Sequence, residues 1–190
     1  IVLGLERLRN LGGGVLYFPG GRYRIDSGLR SGLKIESPIL LPNNVTLRGE
    51  GMGLVSLWWP DRQEPLPTLI EGGNDFTVED LSIYVQGPHR TIISGENNVR
   101  ISRVRIRANC YYMCGRNGNA HHGRGFENTD CGEGYAVDLC GENVQVTDCD
   151  IYHSSVGVLL DSVRGGIISN NTVMAANFTY ISGGPGIIFE

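Results

Sequence analysis

Three acids stand at matching places in three similar segments. Gly134-Tyr-Ala-Val-Asp138, Gly157-Val-Leu-Leu-Asp161 and Gly186-Ile-Ile-Phe-Glu190 share the order glycine, inward, outward, inward, acid. In an extended chain that alternation turns Val137, Leu160 and Phe189 to one side and Asp138, Asp161 and Glu190 to the other. Stacked on neighbouring turns of a repeat, Asp138 and Asp161 would lie ~5 Å apart. That is close to the ~5–5.5 Å carboxylate separation of a retaining glycosidase. Like charges so near raise one pKa or take up a cation, with Ca²⁺ the usual ion for oxygen ligands. Asp138, Asp161 and Glu190 are therefore candidates for acid–base work or an optional calcium site, and no cofactor is required. The alternative is a solvated ladder of strand-end acids.

Other residues carry chemistry of their own. His153 follows Asp148-Cys-Asp-Ile-Tyr152 at an expected turn, as a general base or a solvated turn residue. His121, His122 and Arg124 sit in a Gly- and Asn-rich loop, Gly115 to Gly125, of the kind that binds substrate on a rigid scaffold. Arg103, Arg105 and Arg107 alternate with Val104 and Ile106 as an outward basic row. Guanidinium groups grip the carboxylates of uronic acids bidentately, although a solvated sheet face reads the same way. Trp58 and Trp59 lie in a Pro-bounded stretch and offer flat faces to sugar C–H edges, or else pack on the scaffold. Cys110, Cys114, His121, His122 and Cys131 are zinc-type ligands without a Cys-x-x-Cys pair. A disulfide within Cys110, Cys114, Cys131 and Cys140 competes with that reading. No phosphate loop, nucleophile elbow or His-Glu-x-x-His is present.

The elements that must position these residues show as a repeat. Asn44-VTLRG, Asp75-FTVEDLSIY, Asn98-VRISRVRIR, Asn143-VQVTDCDIY and Gly166-IISNNTVM share one pattern. Their first apolar residues are Val45, Phe76, Val99, Val144 and Ile167, spaced by 31, 23, 45 and 23. The spacing of 45 reads as two turns with one anchor hidden, and the 31 as one turn plus an insertion over 57–68. A second insertion spans 110–130. A period of 22–23 residues with alternating apolar positions means short strands, three per coil, in an all-β solenoid. Leu81, Val104 and Cys149 form one inward column, and Asn171 ends it with hydrogen bonds to turn backbone.

Composition agrees. Of 190 residues 28 are Gly and only one is Lys, against 14 Asn and 5 Ala, which excludes a helical bundle. A hydrophobic content of 41% excludes disorder. The net charge of −4 gives no pull towards nucleic acid or anionic membrane, and no apolar run reaches a span of ~18 residues. Five cysteines are too few for a disulfide scaffold. Scarce Lys and abundant Asn and Gly suit a secreted or cell-surface chain.

The stretches GGGVLYFPGGRYRI (Gly12 to Ile25) and LPNNVTLRGEGMG (Leu41 to Gly53) resemble the opening of pectate-lyase-superfamily proteins. That group includes polysaccharide lyases, polygalacturonase-like hydrolases, uronan epimerases and tailspikes. The resemblance implies a right-handed, single-stranded parallel β-helix over residues 1–190, with 1–10 the remnant of a capping helix, and the final Gly186-Ile-Ile-Phe-Glu190, which reads as the start of another strand, leads to the expectation that it is part of a longer β-helix. Asn128-Thr-Asp130 resembles the polygalacturonase motif in which the Asp activates water, so Asp130 joins the catalytic candidates. The family's following Gly-Asp-Asp is replaced here by Tyr152-His-Ser-Ser155.

These readings lead to an extracellular protein that acts on an acidic polysaccharide, first as a glycoside hydrolase. A pectin- or uronan-type lyase is the alternative. A non-catalytic shaft or glycan-binding segment, whose open end docks a partner chain or missing coils, is the other. The expected partner is polysaccharide, not nucleic acid or membrane.

Overall fold

The computed structural model describes residues 1–25, 39–60, 66–86, 89–108, 135–153, 156–175 and 187–189. After α1 (Val2–Leu11) the described strands make up six turns. Turn one holds β1 (Gly14–Phe18), β2 (Gly21–Arg24) and β3 (Ile39–Leu41). Turn two holds β4 (Val45–Gly49), β5 (Val55–Trp59) and β6 (Leu66–Gly72). Turn three is β7 (Phe76–Val85) and β8 (His89–Gly95), and turn four is β9 (Arg100–Ala108) and β10 (Tyr135–Glu142). Turn five holds β11 (Gln145–Thr147), β12 (Asp150–His153) and β13 (Val156–Arg164). Turn six holds β14 (Ile167–Ser169), β15 (Thr172–Ala175) and β16 (Ile187–Phe189).

All strand pairs among the described residues are parallel and link successive turns, which makes the fold a parallel β-helix. The first face runs β1-β4-β7-β9-β11-β14, and the third runs β3-β6-β8-β10-β13-β16. The second runs β2-β5-β7-β9-β12-β15, because β7 and β9 bend at Asp80 and Arg103 and serve two faces each. No helix among the described residues is long and apolar enough to cross a membrane.

Alternation fills the interior with stacked columns. Leu47, Val78, Ile101 and Val146 line the first face and Leu57, Ile83, Ile106 and Ile151 the second. Ile70, Ile93, Val137 and Val158 line the third. Burying each such side chain is worth ~1.5–3 kcal/mol. The corners rest on residues that tolerate a left-handed backbone. Asn44, Asp75, Asn98 and Asn143 have φ of 55–59° and stack in line. Asn98 Nδ2 donates to Asp75 Oδ1 at 2.8 Å, and Asn143 Nδ2 to Asn98 Oδ1 at 3.1 Å. Gly72 and Gly95 make room for the Phe76 ring, since a Cβ at either would fall 2.4 or 2.6 Å from Phe76 Cε1. Cys149 is buried beneath Val104 as the column predicts. Asn171 Oδ1 accepts from the Cys149 amide at 2.8 Å, while its Nδ2 donates to the Val146 carbonyl at 2.7 Å.

Three expectations from spacing change. Asn98 and Asn143 are direct neighbours although 45 residues apart, so that interval is one turn, not two. The surplus lies in sequence between Ala108, the end of β9, and Tyr135, the start of β10. Residues 57–59 belong to β5 and 66–68 to β6, so the second turn's surplus is shorter than 57–68. Ile167 pairs with Gln145 and points outward, whereas Ile168 is the inward partner of Val146.

Candidate functional sites on two faces

The outward side of the second face carries two columns. One runs Arg22, Ser56, Ser82, Arg105, Asp150, Thr172. The other runs Arg24, Trp58, Tyr84, Arg107, Tyr152, Met174. The second is a stripe of aromatic and cationic side chains, with successive members one strand spacing, ~4.8 Å, apart. Trp58 stands near one end of it. The Arg22 and Arg24 guanidinium carbons lie 4.1 and 5.4 Å from the Trp58 ring centroid, and the indole N–H donates to Gln86 Oε1 at 3.1 Å. Trp59, expected beside it at substrate, points inward and is 3% exposed, so it is a core residue. Adjacent residues of a strand face opposite ways.

The arginine row is tied down from within. Arg105 Nε and Arg107 Nη2 reach Asp150 Oδ2 at 3.1 and 2.5 Å, and Arg107 Nη1 also donates to the Asp150 carbonyl at 2.9 Å. The hydrogen bond from Arg107, then that from Arg105, holds the Asp150 carboxyl below the usual range. Arg103 stands apart from this row. It occupies the left-handed corner position with φ 52°, which costs a side chain of its kind energy. A fork onto Asp80, at 2.6 and 2.8 Å, compensates, with Glu79 at 3.2 Å. That fork holds Asp80 below its ordinary pKa and raises Arg103. The expected free basic row at Arg103 and Arg105 is thus a set of ion pairs between turns.

On the third face Asp138 is half-buried and points outward between Ser94 and Leu159. Asp161 is outward too, but its partner is Cys140. The two carboxylates are therefore diagonal neighbours, not a column at one level. Diagonal positions have Cβ atoms ~7–8 Å apart or somewhat less, rather than ~5 Å. The physical reason is that a two-residue slip keeps every side chain on its own face, so alternation cannot detect it. Pairing Leu139 with Leu160 and Val137 with Val158 decides the register. Burial pushes the Asp138 carboxyl up, the Asp161 charge adds to this, and Arg90 opposes it. Asp161 is exposed and accepts from Ser162 Oγ at 2.8 Å. No three His, Cys, Asp or Glu side chains among the described residues converge as metal ligands.

His153 is not at a turn. It ends β12 facing inward at 0% exposure, with Nε2 3.0 Å from Nε2 of His89, so it cannot reach a polymer outside. Cys140 is a free, partly exposed thiol, which removes it from the disulfide expectation. Cys149 is a free buried thiol whose pKa burial pushes up to about 11. Asp130, His121, His122, Arg124, Glu190, Cys110, Cys114 and Cys131 lie outside the described residues. Sequence reading passed over Arg22, Arg24, Tyr84 and Tyr152. A signal existed: Leu81-Ser-Ile-Tyr84 and Cys149-Asp-Ile-Tyr152 put tyrosine at one repeat position.

No protein-family model matches this chain. Alginate lyase 7 of Azotobacter vinelandii is 29% identical to it over an alignment of 126 residues, covering 54% of this chain and 14% of that protein. Two solved structures from the same organism are similar in form. The mannuronan C-5 epimerase AlgE4 A-module has a TM-score of 0.43 at 15% identity, covering 98% of this chain and 58% of that one. The AlgE6 A-module has 0.46 at 14% identity, covering 98% and 57%. The chain thus spans little over half the length of those modules and a small part of the lyase.

Proposed function

We propose that this β-helix lays a uronate polysaccharide along its second face and acts on it by removing the proton next to the uronate carboxylate. The observation that carries the reading is the stripe from Arg24 through Trp58, Tyr84 and Arg107 to Tyr152. A sugar polymer has flat C–H faces, which aromatic rings cover, and each uronate adds a carboxylate, which guanidinium groups hold. Both chemistries stand in one column here at strand spacing. Arg22 and Arg24 beside Trp58 supply the cations at one end. Arg107, held in place by Asp150, supplies a fixed dipole-rich centre flanked by the phenols of Tyr84 and Tyr152. One tyrosine, as its phenolate, would take the proton from the carbon next to the carboxylate and become a neutral phenol, the other, as a neutral phenol, would return a proton, and a nearby cation stabilises the enolate between the two steps. Elimination and epimerisation share that first step. The name of the curated relative, an alginate lyase, supports a uronate substrate.

Hydrolysis on the third face is a second reading, favoured by the raised pKa of half-buried Asp138 beside exposed Asp161. A raised carboxyl suits a general acid, and diagonal placement sets the two residues further apart than neighbours at one level, the direction in which inverting sites differ from retaining ones. Calcium is optional in either reading, and secretion fits a polymeric substrate.

The test is incubation with polymannuronate, polygalacturonate and a neutral glucan. Ultraviolet absorbance of unsaturated ends, reducing ends and exchange of the C5 proton with solvent are read in parallel. Absorbance or proton exchange on a polyuronate, lost in Tyr84→Phe or Tyr152→Phe, is the expected result. Reducing ends without either signal would sink the first reading and promote Asp138 and Asp161. Silence on every polymer, with binding intact, would leave a glycan-binding segment.

A further inference from the structure

The outward cations described on the second face stand at two levels. Arg22 and Arg24 belong to turn one, and Arg105 and Arg107 to turn four. Turns two and three between them carry Ser56, Trp58, Ser82 and Tyr84 in the same columns, none of them a cation. Ser82 is buried there, and its hydroxyl donates to the Met52 carbonyl. The two levels differ in their counter-charge. Arg105 and Arg107 share the Asp150 carboxylate. Arg22 is exposed, its guanidinium carbon lies 4.1 Å from the Trp58 ring centroid, and no carboxylate among the described residues pairs with it.

A guanidinium over an indole is held by its charge and its flat face. Its N–H donors lie in the guanidinium plane and stay available, and a carboxylate can accept two of them at once. The indole is fixed in turn, because its N–H donates to Gln86 Oε1 at 3.1 Å. Gln86 thus holds Trp58, Trp58 holds Arg22, and Arg22 keeps a charge and a fork for a carboxylate from outside. Turn one and turn four are three strand spacings apart, ~14 Å. Arg22 leans towards Trp58 in turn two, and Arg107 leans towards Asp150 in turn five, so both lean the same way and the interval is kept. A 1,4-linked pyranose with its bridging oxygen spans about one strand spacing. A polymer laid along the face therefore needs a fourth sugar before one carboxylate stands at Arg107 and another at Arg22.

We propose that Arg22 is a remote anchor for a second uronate carboxylate, three turns from the Arg107 centre, so that the second face selects polyuronates by length and holds those of four sugars or more. The proposal rests on the reading of the second face as the seat of the polymer. The two sugars between the levels lie against Trp58 and Tyr84, where the described residues offer their carboxylates no guanidinium. Gln86 is the positioning residue of the anchor, acting through the indole.

The test uses oligomannuronates and oligogalacturonates of two to six sugars. Affinity is read by titration calorimetry, and turnover by C5 proton exchange and ultraviolet absorbance. In the unaltered chain affinity should rise about tenfold from three sugars to four and little beyond. Arg22→Gln should remove that step, with the loss for the tetramer in KM rather than in kcat. Arg22→Lys should restore only part of it, since an ammonium has the charge without the planar fork. Gln86→Ala leaves the guanidinium but frees the indole, and should shrink the step. A smooth rise with length in the unaltered chain, or a step that survives Arg22→Gln, overturns the anchor and leaves the second-face reading standing. No binding of any oligouronate overturns both.

Discussion

The second and third faces are built on the same strand spacing and differ in how they handle charge. On the second face each acid meets a base from another turn: Asp150 holds Arg105 and Arg107. On the third face Asp138 has Ser94 and Leu159 for neighbours and Asp161 on its diagonal, with Arg90 as the opposing charge. The outcome is opposite shifts, Asp150 down and Asp138 up. A carboxylate settled by ion pairs positions its neighbours. A carboxyl whose ionisation burial disfavours holds its proton more tightly, as a general acid does. Aromatic rings reinforce the contrast, since Trp58, Tyr84 and Tyr152 lie outward on the second face, while the third face shows no outward aromatic among the described residues.

The largest effect expected from testing this comparison separates two adjacent residues. Trp59→Ala removes a core ring and should cost ~3–5 kcal/mol in urea unfolding. Trp58→Ala should leave the unfolding midpoint nearly unchanged. Equal losses would mean that the two rings do not face opposite ways. Next is Asp150→Ala, which strands two half-buried guanidinium groups at a cost of about 1–2 kcal/mol. The Asp150 pKa is depressed when folded, so its contribution is complete above the unfolded value of about 3.9 and lost as pH falls below it. Unfolding curves of variant and parent should converge in acid. Trp58→Ala should then weaken polyuronate binding about tenfold by titration calorimetry, while Asp138→Asn leaves that affinity alone.

The smallest effect is on stability at Asp138. Its pKa is raised in the folded state, so the folded chain holds the proton more tightly and loses stability as pH rises above about 3.9. Asp138→Asn should raise the thermal midpoint slightly at pH 7 and not at pH 4. A lower midpoint at pH 7 would mean that the carboxylate is stabilised by its surroundings, and would end its candidacy as a general acid.

The repeat was legible because each inward column needs apolar residues at one phase, and each corner needs Asn, Asp or Gly. Cys149 and Asn171 could be assigned on that basis alone, and the aromatic stripe could have been. What alternation cannot report is register. Asp138 and Asp161 fit a column by pattern, yet pairing of Leu139 with Leu160 sets them diagonally. A period of two is blind to a slip of two residues. It is equally blind to distance along the chain, so Asn98 and Asn143 became neighbours across 45 residues only once the strands were paired. The sequence by itself determined the solenoid, its inward columns and its corners, because these follow from burial and backbone sterics within one turn. Only the tertiary structure decided that Arg103, Arg105 and Arg107 are paired, that Trp59 and His153 are inside, and that His89 reaches His153. Those are contacts between turns, set by which strands pair and in what register.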